Sequence, residues 1–293
     1  MDNNQPQQIL QYAIAQQMGA GKNGVSYKAF DTALQRPVIL KLISKEVANS
    51  RSFESCLIHW RRQIDNFHPN LCAVYGVEAW EQSYVLLSEY VEGMSLRQLV
   101  EKQLPGPERM MSIAVHAAQG LKALYDMGVI HGNLSSTNVI VDDQSTVRLG
   151  DAGLGWPAQA YPKEETPAWL APELRRGGEP TRRSDLYALG AIICEMTGVE
   201  RPADAVPIEQ LSKVVGPDWT LLVKKLLAES PSDRFVGPSE LLISLEAVSQ
   251  FEPEKAMVGG VPPDKHSPRQ YLIVSLLMAV VIFFWFIVTT FWK

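Results

Sequence analysis

Three glycines near the start of this 293-residue chain have the spacing of a phosphate-binding loop. Gly19, Gly21 and Gly24, followed by Val25, fit the pattern GxGxxGxV, in which positions without side chains let the backbone close over phosphate groups. Lys41 ends a short apolar run 17 residues after Gly24, where its ammonium group could neutralise phosphate charge. These residues predict a phosphate-binding site.

Two kinds of element could present such glycines. In a dinucleotide-binding fold a helix opens at the third glycine, whereas a hairpin continues there as a strand. The segment that begins at Val25 reads Val-Ser-Tyr-Lys-Ala-Phe, which is strand composition. The sequence therefore favours a hairpin.

A small β lobe precedes a larger helical lobe in the apolar pattern. Strands are predicted at residues 12–18, 25–30, 38–43, 71–77 and 84–87. One helix over residues 53–67 interrupts them, because apolar side chains recur there every three to four positions. From Ser95 onward helices dominate, most clearly at residues 110–127, 183–196, 218–228 and 238–248.

Three further motifs follow in order along the chain. They are His131-Gly132-Asn133-Leu134-Ser135-Ser136-Thr137-Asn138, Gly150-Asp151-Ala152-Gly153 and Ala171-Pro172-Glu173. With the glycine loop and Lys41, they make residues 12–248 resemble the protein kinase family. The resemblance implies an α+β, two-lobed fold, with a five-stranded β lobe plus one helix over residues 12–90 and an α-helical lobe over residues 91–250.

The resemblance also implies ATP and Mg²⁺ as ligands. The residues expected to hold the nucleotide are Gly19, Gly21, Gly24, Val25, Lys41, Glu89 and Val91, the last two from the hinge between the lobes. Asn138 and Asp151 are expected to supply oxygen ligands to Mg²⁺. Structural roles are implied for Thr166 in the substrate loop, for Asp185 as organiser of the catalytic loop, and for an ion pair between Glu173 and Arg234.

The position of the catalytic base departs from the family pattern. The base precedes the metal-binding asparagine by five residues, and Asn133 stands there; its amide cannot accept a proton at neutral pH. Ser135 replaces a lysine that usually supports the transferring phosphoryl group. Because the loss of a general base typically costs about 10²–10⁴ in rate, weak or absent phosphotransfer is expected.

The predicted helix of the small lobe departs as well. The glutamate expected to pair with Lys41 falls on His59, and Glu54 lies about 140° away around the helix. Gln63 and Ala152 replace apolar residues that stack between the lobes in the family. A fixed, noncatalytic arrangement of the lobes is expected; alternatively, His59 simply pairs with a nearby carboxylate.

Three further substitutions bear on nucleotide binding and regulation. Ile39 adds bulk above the expected adenine position, while Ser88 opens space at the back of the pocket, so the two changes partly offset each other. Gly132 replaces the arginine that receives a loop phosphate in switched kinases. Regulation by loop phosphorylation is therefore not expected, and Thr166 is interpreted as structural.

Composition limits the possible classes of protein. The chain is 46% apolar and 20% charged, with a net charge of −5, so it can bury a substantial core and offers no electrostatic reason to expect a nucleic-acid partner. Its three cysteines, Cys56, Cys72 and Cys194, have neither disulfide-framework nor zinc-site spacing. They are interpreted as buried thiols in a reducing compartment.

The C-terminal region predicts a membrane anchor. Residues 271–292, from Tyr271 to Trp292, carry no charge and could cross ~30 Å of hydrocarbon. Residues 1–11 form an N-terminal extension without signal-peptide character, and residues 251–270 form a juxtamembrane linker rich in Gly and Pro. A weak basic bias before the span places the kinase-like domain in the cytoplasm. The resemblance to membrane-attached kinase-like proteins favours a bacterial inner membrane. Ser275 and Ala279 offer a face for self-association of the span.

Three functions remain open at this point. The first is a membrane-anchored pseudokinase that binds ATP with Mg²⁺ and regulates or scaffolds a cytoplasmic client protein or partner kinase. The second is a serine/threonine kinase of low activity, since a dissociative transition state leaves little work for a base. The third is a nucleotide-free interaction module, favoured if Ile39 closes the adenine site.

Overall fold

An antiparallel sheet of six strands forms the first lobe of the computed structural model, which describes residues 6–155, 167, 169–199 and 207–250. The strands are β1 (Gln8–Ile9), β2 (Tyr12–Gly21), β3 (Gly24–Asp31), β4 (Arg36–Ile43), β5 (Val74–Trp80) and β6 (Ser83–Glu89), in the spatial order β1-β2-β3-β4-β6-β5. The prediction of five strands was wrong by one, because β1 is too short to show a period. Ile9 is nevertheless fully buried and pairs with Tyr12.

Two helices cross this lobe between β4 and β5. They are α1 (Lys45–Ala48) and α2 (Phe53–Gln63). The buried residues of α2 recur every three to four positions, as an amphipathic helix requires: Phe53, Cys56, Trp60 and Gln63. The helix ends four residues before the predicted Phe67, because Ile64 is extended with ψ 133°.

The second lobe is mainly helical around one large core. Its elements are β7 (Met94–Ser95), α3 (Leu96–Lys102), α4 (Pro107–Asp126), β8 (Val139–Val141), β9 (Val147–Leu149), α5 (Pro172–Arg175), α6 (Arg182–Met196), α7 (Ile208–Leu226) and α8 (Pro238–Gln250). Ser95 and Thr181 begin α3 and α6 with capping boxes, which satisfy backbone N–H groups at the helix starts. Nearly the whole of α6 is buried, so this helix forms the centre of the lobe.

The described part of α7 begins ten residues before its predicted start. The helix is interrupted at Gly216, which has φ 80° and precedes Pro217, and the apolar pattern alone captured only the second half. Within the described ranges, no helix is both long and apolar enough to cross a membrane. The predicted span over residues 271–292, the linker over residues 251–270 and Thr166 all lie outside the described residues.

Candidate functional site

The glycine loop is a hairpin, as the strand composition after Gly24 predicted. A two-residue turn joins β2 to β3, with Gly21 opposite Gly24. Gly24 has φ 130°, and a Cβ atom there would lie 1.9 Å from the Leu42 carbonyl oxygen, so only glycine fits. At Gly19 and Gly21, by contrast, a Cβ atom would meet nothing within 4 Å. The open backbone at these two positions has room for phosphate oxygens.

Lys41 and Asp151 form a largely buried ion pair between β4 and the segment that follows β9. Lys41 lies on β4 with a side chain only 10% exposed, and its ammonium group contacts the Asp151 carboxylate. Asp151 follows β9 in the left-handed conformation, with φ 56°, which is uncommon for a residue other than glycine. Two residues that the sequence assigned to phosphate and metal binding therefore meet across 110 positions of the chain.

Asn138 is held close to this pair by its backbone and its amide. Its carbonyl accepts the Gly150 N–H at 2.8 Å, and its amide nitrogen donates to the Asn133 carbonyl at 2.7 Å. The amide oxygen of Asn138 is then the polar atom available for a ligand. Among the described residues, no group of three or more His, Cys, Asp or Glu side chains could hold a metal ion.

This donor set fits Mg²⁺ bound together with a polyphosphate. Mg²⁺ in such sites commonly takes one or two carboxylates and completes its coordination with substrate phosphates and water. Asp151 supplies the carboxylate and Asn138 the amide oxygen. The glycine hairpin offers the space for the phosphates, so the residues present suit a nucleotide with its metal ion.

Asn133 and Ser135 bring neither a base nor a positive charge to the site. Asn133 is 9% exposed, and its backbone N–H donates to His131 Nδ1 at 3.3 Å. The Ser135 hydroxyl lies 2.8 Å from the Thr137 hydroxyl. An amide can orient a substrate hydroxyl through a hydrogen bond, but it cannot take the proton away.

Asp185 organises the segment that contains Asn133. Its carboxylate accepts the backbone N–H groups of His131 at 2.9 Å and Gly132 at 2.8 Å, and the Tyr125 hydroxyl lies 3.1 Å away. Complete burial raises the pKa of Asp185 to about 7, against the lowering effect of these donors. Burial also shifts His131, whose pKa it lowers to about 4, because burial disfavours the charged form of either side chain.

Gly132 could not be replaced by an arginine without movement of the backbone. It has φ 69°, and a Cβ atom would lie 2.6 Å from the Gly155 Cα atom. The absence of a phosphate-receiving arginine at this position is thus built into the local packing.

Glu173 and Arg234 form the ion pair that the resemblance implied. Arg234 donates to both carboxylate oxygens, at 2.6 and 2.8 Å, and its side chain is fully buried. The same guanidinium donates to the carbonyls of Arg183, Ala228 and Glu229. This pair ties α5 to the chain that leads into α8.

The strand register brings Ile39 and Ser88 directly opposite each other on β4 and β6. The small Ser88 side chain therefore lies next to the larger Ile39 side chain, which is the arrangement needed if the two substitutions partly offset each other in the nucleotide pocket. At the end of β6, the Glu89 carboxylate accepts the Ala73 N–H at 3.1 Å and pairs with the Arg148 guanidinium. Sequence reasoning missed Arg148, because its partner lies 59 positions away and neither residue belongs to a shared motif.

α2 contacts the Asp151-Ala152-Gly153 segment through polar groups. The Trp60 indole nitrogen and the Gln63 amide nitrogen both donate to the Ala152 carbonyl, at 3.2 and 3.3 Å. Sequence reasoning expected Gln63 only to weaken an apolar stack. His59 forms no ion pair with a carboxylate among the described residues, and burial together with Arg62 lowers its pKa.

Known proteins resemble this chain in sequence and in fold. Residues 12–242 match the protein kinase domain. The serine/threonine-protein kinase PknB of Mycobacterium leprae is 27% identical over 277 residues, which cover 84% of this chain and 44% of that protein. PrkC of Bacillus subtilis, also a serine/threonine-protein kinase, is 27% identical over 240 residues, covering 78% of this chain and 35% of that protein.

A solved structure resembles this chain in fold. The kinase domain of Mycobacterium tuberculosis PknI superposes with a TM-score of 0.67 at 21% identity, covering 82% of this chain and 96% of that domain. The chain spans less than half the length of the two curated kinases it matches. Since the domain match extends over most of its residues and the two lobes are present, the chain belongs to the protein kinase family.

Proposed function

We propose that this kinase domain binds ATP with Mg²⁺ between its lobes, transfers phosphate slowly or not at all, and acts as a pseudokinase that regulates or scaffolds a protein partner. One observation carries the proposal: Lys41, Asn138 and Asp151 keep the phosphate- and metal-binding side of the site, whereas Asn133 occupies the position of the base. The bound Mg²⁺ would neutralise phosphate charge. Phosphoryl transfer also needs a positioned acceptor hydroxyl, and Asn133 can orient that hydroxyl without accepting its proton.

A serine/threonine kinase of low activity is the second candidate. The names of the relatives favour it, since PknB and PrkC are both serine/threonine-protein kinases. The chemistry allows it, because a loose transition state asks mainly for positioning and charge neutralisation. Asn133 and Ser135 favour the first candidate instead, because together they remove the base and a positive charge.

Thermal unfolding of the full chain tests the nucleotide site. We expect ATP with Mg²⁺ to raise the unfolding temperature, and ATP with a chelator to raise it less, because a ligand that binds only the folded state stabilises it by RT ln(1 + [L]/Kd). No rise at millimolar nucleotide would refute the proposal. It would favour the nucleotide-free interaction module, with Ile39 closing the adenine pocket.

Phosphotransfer then separates the two candidates. Transfer from labelled ATP to the chain itself and to a general protein substrate is compared among wild type, Asn133→Asp and Asp151→Ala. For a pseudokinase, phosphate transfer by wild type equals the background set by Asp151→Ala. If Asn133 is the main catalytic defect, transfer by Asn133→Asp rises above that background; no gain would locate the defect in His59, Ser135 or the arrangement of the lobes. Transfer by wild type above that background would establish the low-activity kinase.

The proposal retains attachment to a membrane through residues 271–292, with a bacterial inner membrane as the expected location. Confinement to a surface would raise the effective concentration of the domain for a partner there. Membrane fractionation of the full chain and of a chain lacking residues 271–293 tests this part. Equal partition of the two into the soluble fraction would contradict it.

A further inference from the structure

α2 lies against the second lobe without the ion pair that its position invites. His59 faces the Asp151-Ala152-Gly153 segment, and a Cβ atom at Gly153 would lie 2.9 Å from the His59 Cβ atom. Lys41 is paired with Asp151 instead. Other contacts therefore hold α2 in place, among them the apolar packing of its buried face and the hydrogen bond from the Arg62 guanidinium to the Gly128 carbonyl at 2.6 Å.

Two side chains of α2 converge on one carbonyl oxygen of the second lobe. The indole nitrogen of Trp60, which is fully buried, donates to the Ala152 carbonyl at 3.2 Å. Gln63 is 6% exposed, and its amide nitrogen donates both to that carbonyl at 3.3 Å and to the His59 carbonyl at 3.2 Å. Both lone pairs of the Ala152 oxygen thus have a donor.

The segment that carries this carbonyl is fixed on its other side. The Gly153 N–H donates to the His131 carbonyl at 2.9 Å, and Gly153 has φ 87°. Its close approach to α2 leaves no room for a side chain at Gly153. Asp151 lies one residue before Ala152, so a shift of the Ala152 peptide would move the Asp151 carboxylate.

We propose that Trp60, Gln63 and the Ala152 carbonyl form a latch, the Ala152 latch, that holds α2 to the second lobe and positions Asp151. The latch replaces both the ion pair and the apolar stack that the residues at positions 59, 63 and 152 cannot form. Trp60 and Gln63 are thus positioning residues for the nucleotide site. The role of Trp60 and Gln63 in positioning the nucleotide site rests on the proposed function, whereas the attachment of α2 through the Ala152 latch does not.

Hydrogen exchange of the full chain, measured without nucleotide, tests the latch directly. Trp60→Phe removes the indole donor and keeps an aromatic ring, and Gln63→Met removes the amide donor at similar length. We expect each single variant to exchange about two- to tenfold faster in peptides that cover residues 57–64 and 150–155, since one hydrogen bond is lost. The exposed Gln103→Met is the matched control and should leave these peptides unchanged.

The double variant Trp60→Phe/Gln63→Met gives the most discriminating test of the latch. After one substitution the Ala152 oxygen still has a donor, but after both it is buried without one, so the combined effect should exceed the product of the single effects. Exchange rates equal to those of the Gln103→Met control, or effects that simply multiply, would overturn the latch. Equal acceleration in every peptide of the chain would also overturn it, because it would show a general loss of stability.

A second readout addresses the positioning of Asp151. At a temperature where all variants are folded, the double variant should bind ATP with Mg²⁺ about tenfold more weakly than wild type, because loss of groups that orient a metal ligand costs affinity on this scale. Gln103→Met should bind as wild type does. Unchanged affinity in the double variant would refute the positioning role. If wild type binds no nucleotide, the proposed function fails, and hydrogen exchange still decides the latch.

Discussion

Lys41 pairs with Asp151 and not with a carboxylate of α2. The helix position that would face the lysine carries His59, which gives Lys41 no anionic partner, because an imidazole is either neutral or positively charged. Burial lowers the pKa of His59. The same carboxylate that is expected to bind Mg²⁺ therefore also balances the lysine. The phosphate oxygens of a nucleotide that enters the site must therefore interact with both Mg²⁺ and the Lys41 ammonium group.

Asp151→Asn should abolish the Mg²⁺-dependent part of ATP stabilisation. The amide keeps the size of the side chain but removes the only carboxylate assigned to the metal. The measurement is the unfolding temperature with ATP and Mg²⁺ minus that with ATP and a chelator. Asp143→Asn, at an exposed turn position, serves as the control. An unchanged difference in Asp151→Asn would place the metal elsewhere.

Ile39→Ala should tighten ATP binding by about tenfold, because a few methylene groups in a pocket change affinity on this scale. Calorimetric titration measures the dissociation constant. Ser88→Val, which fills the space opposite Ile39, should weaken binding. If both variants bind as wild type does, this strand pair does not border the adenine.

Glu173→Gln should destabilise the fold by about 3 kcal/mol or more, because it leaves the fully buried Arg234 guanidinium without its counter-charge. Urea unfolding measures the change. Glu229→Gln is the matched control, since its ion pair with Arg176 is exposed and worth little. Similar losses in the two variants would contradict the structural importance of the buried pair.

Tyr125→Phe should cost more stability at pH 8 than at pH 5. Burial raises the pKa of Asp185 from 3.8 to about 7. Between pH 3.8 and about pH 7, the Asp185 carboxyl group therefore holds a proton in the folded chain and has lost it in the unfolded chain. The contribution of Asp185 to stability is therefore greatest below pH 4 and is lost as the pH rises towards 7.

Removal of the Tyr125 hydroxyl withdraws a donor that favours the ionised carboxylate, and so enlarges this loss. We expect Tyr125→Phe to lower the free energy of unfolding by about 2 kcal/mol at pH 8 and by about 1 kcal/mol at pH 5, because hydrogen bonds to charged groups are stronger. Urea unfolding at both pH values measures it. A loss that does not change with pH would show that Asp185 keeps one protonation state throughout.

Local spacing predicted the hairpin, the buried face of α2 and each single motif, because each depends on residues a few positions apart. Gly24 illustrates this, since its place between two strands is fixed by neighbours within one hairpin. The donors to Ala152 illustrate the limit. Trp60 and Gln63 are 92 and 89 positions away from it, and no periodicity links a helix side chain to a distant carbonyl. Tyr125 was missed for the same reason, because Asp185 lies 60 positions away.

The close contact between Gly132 and Gly155 constrains how this chain can change by mutation. Any side chain at position 132 meets the Gly155 backbone, so an arginine gained there by a single mutation would first lower stability. That arginine could be tolerated only after a rearrangement of the backbone around residue 155. Substitutions at positions 132 and 155 are therefore coupled, and position 132 should remain glycine as long as the Gly155 backbone keeps its place.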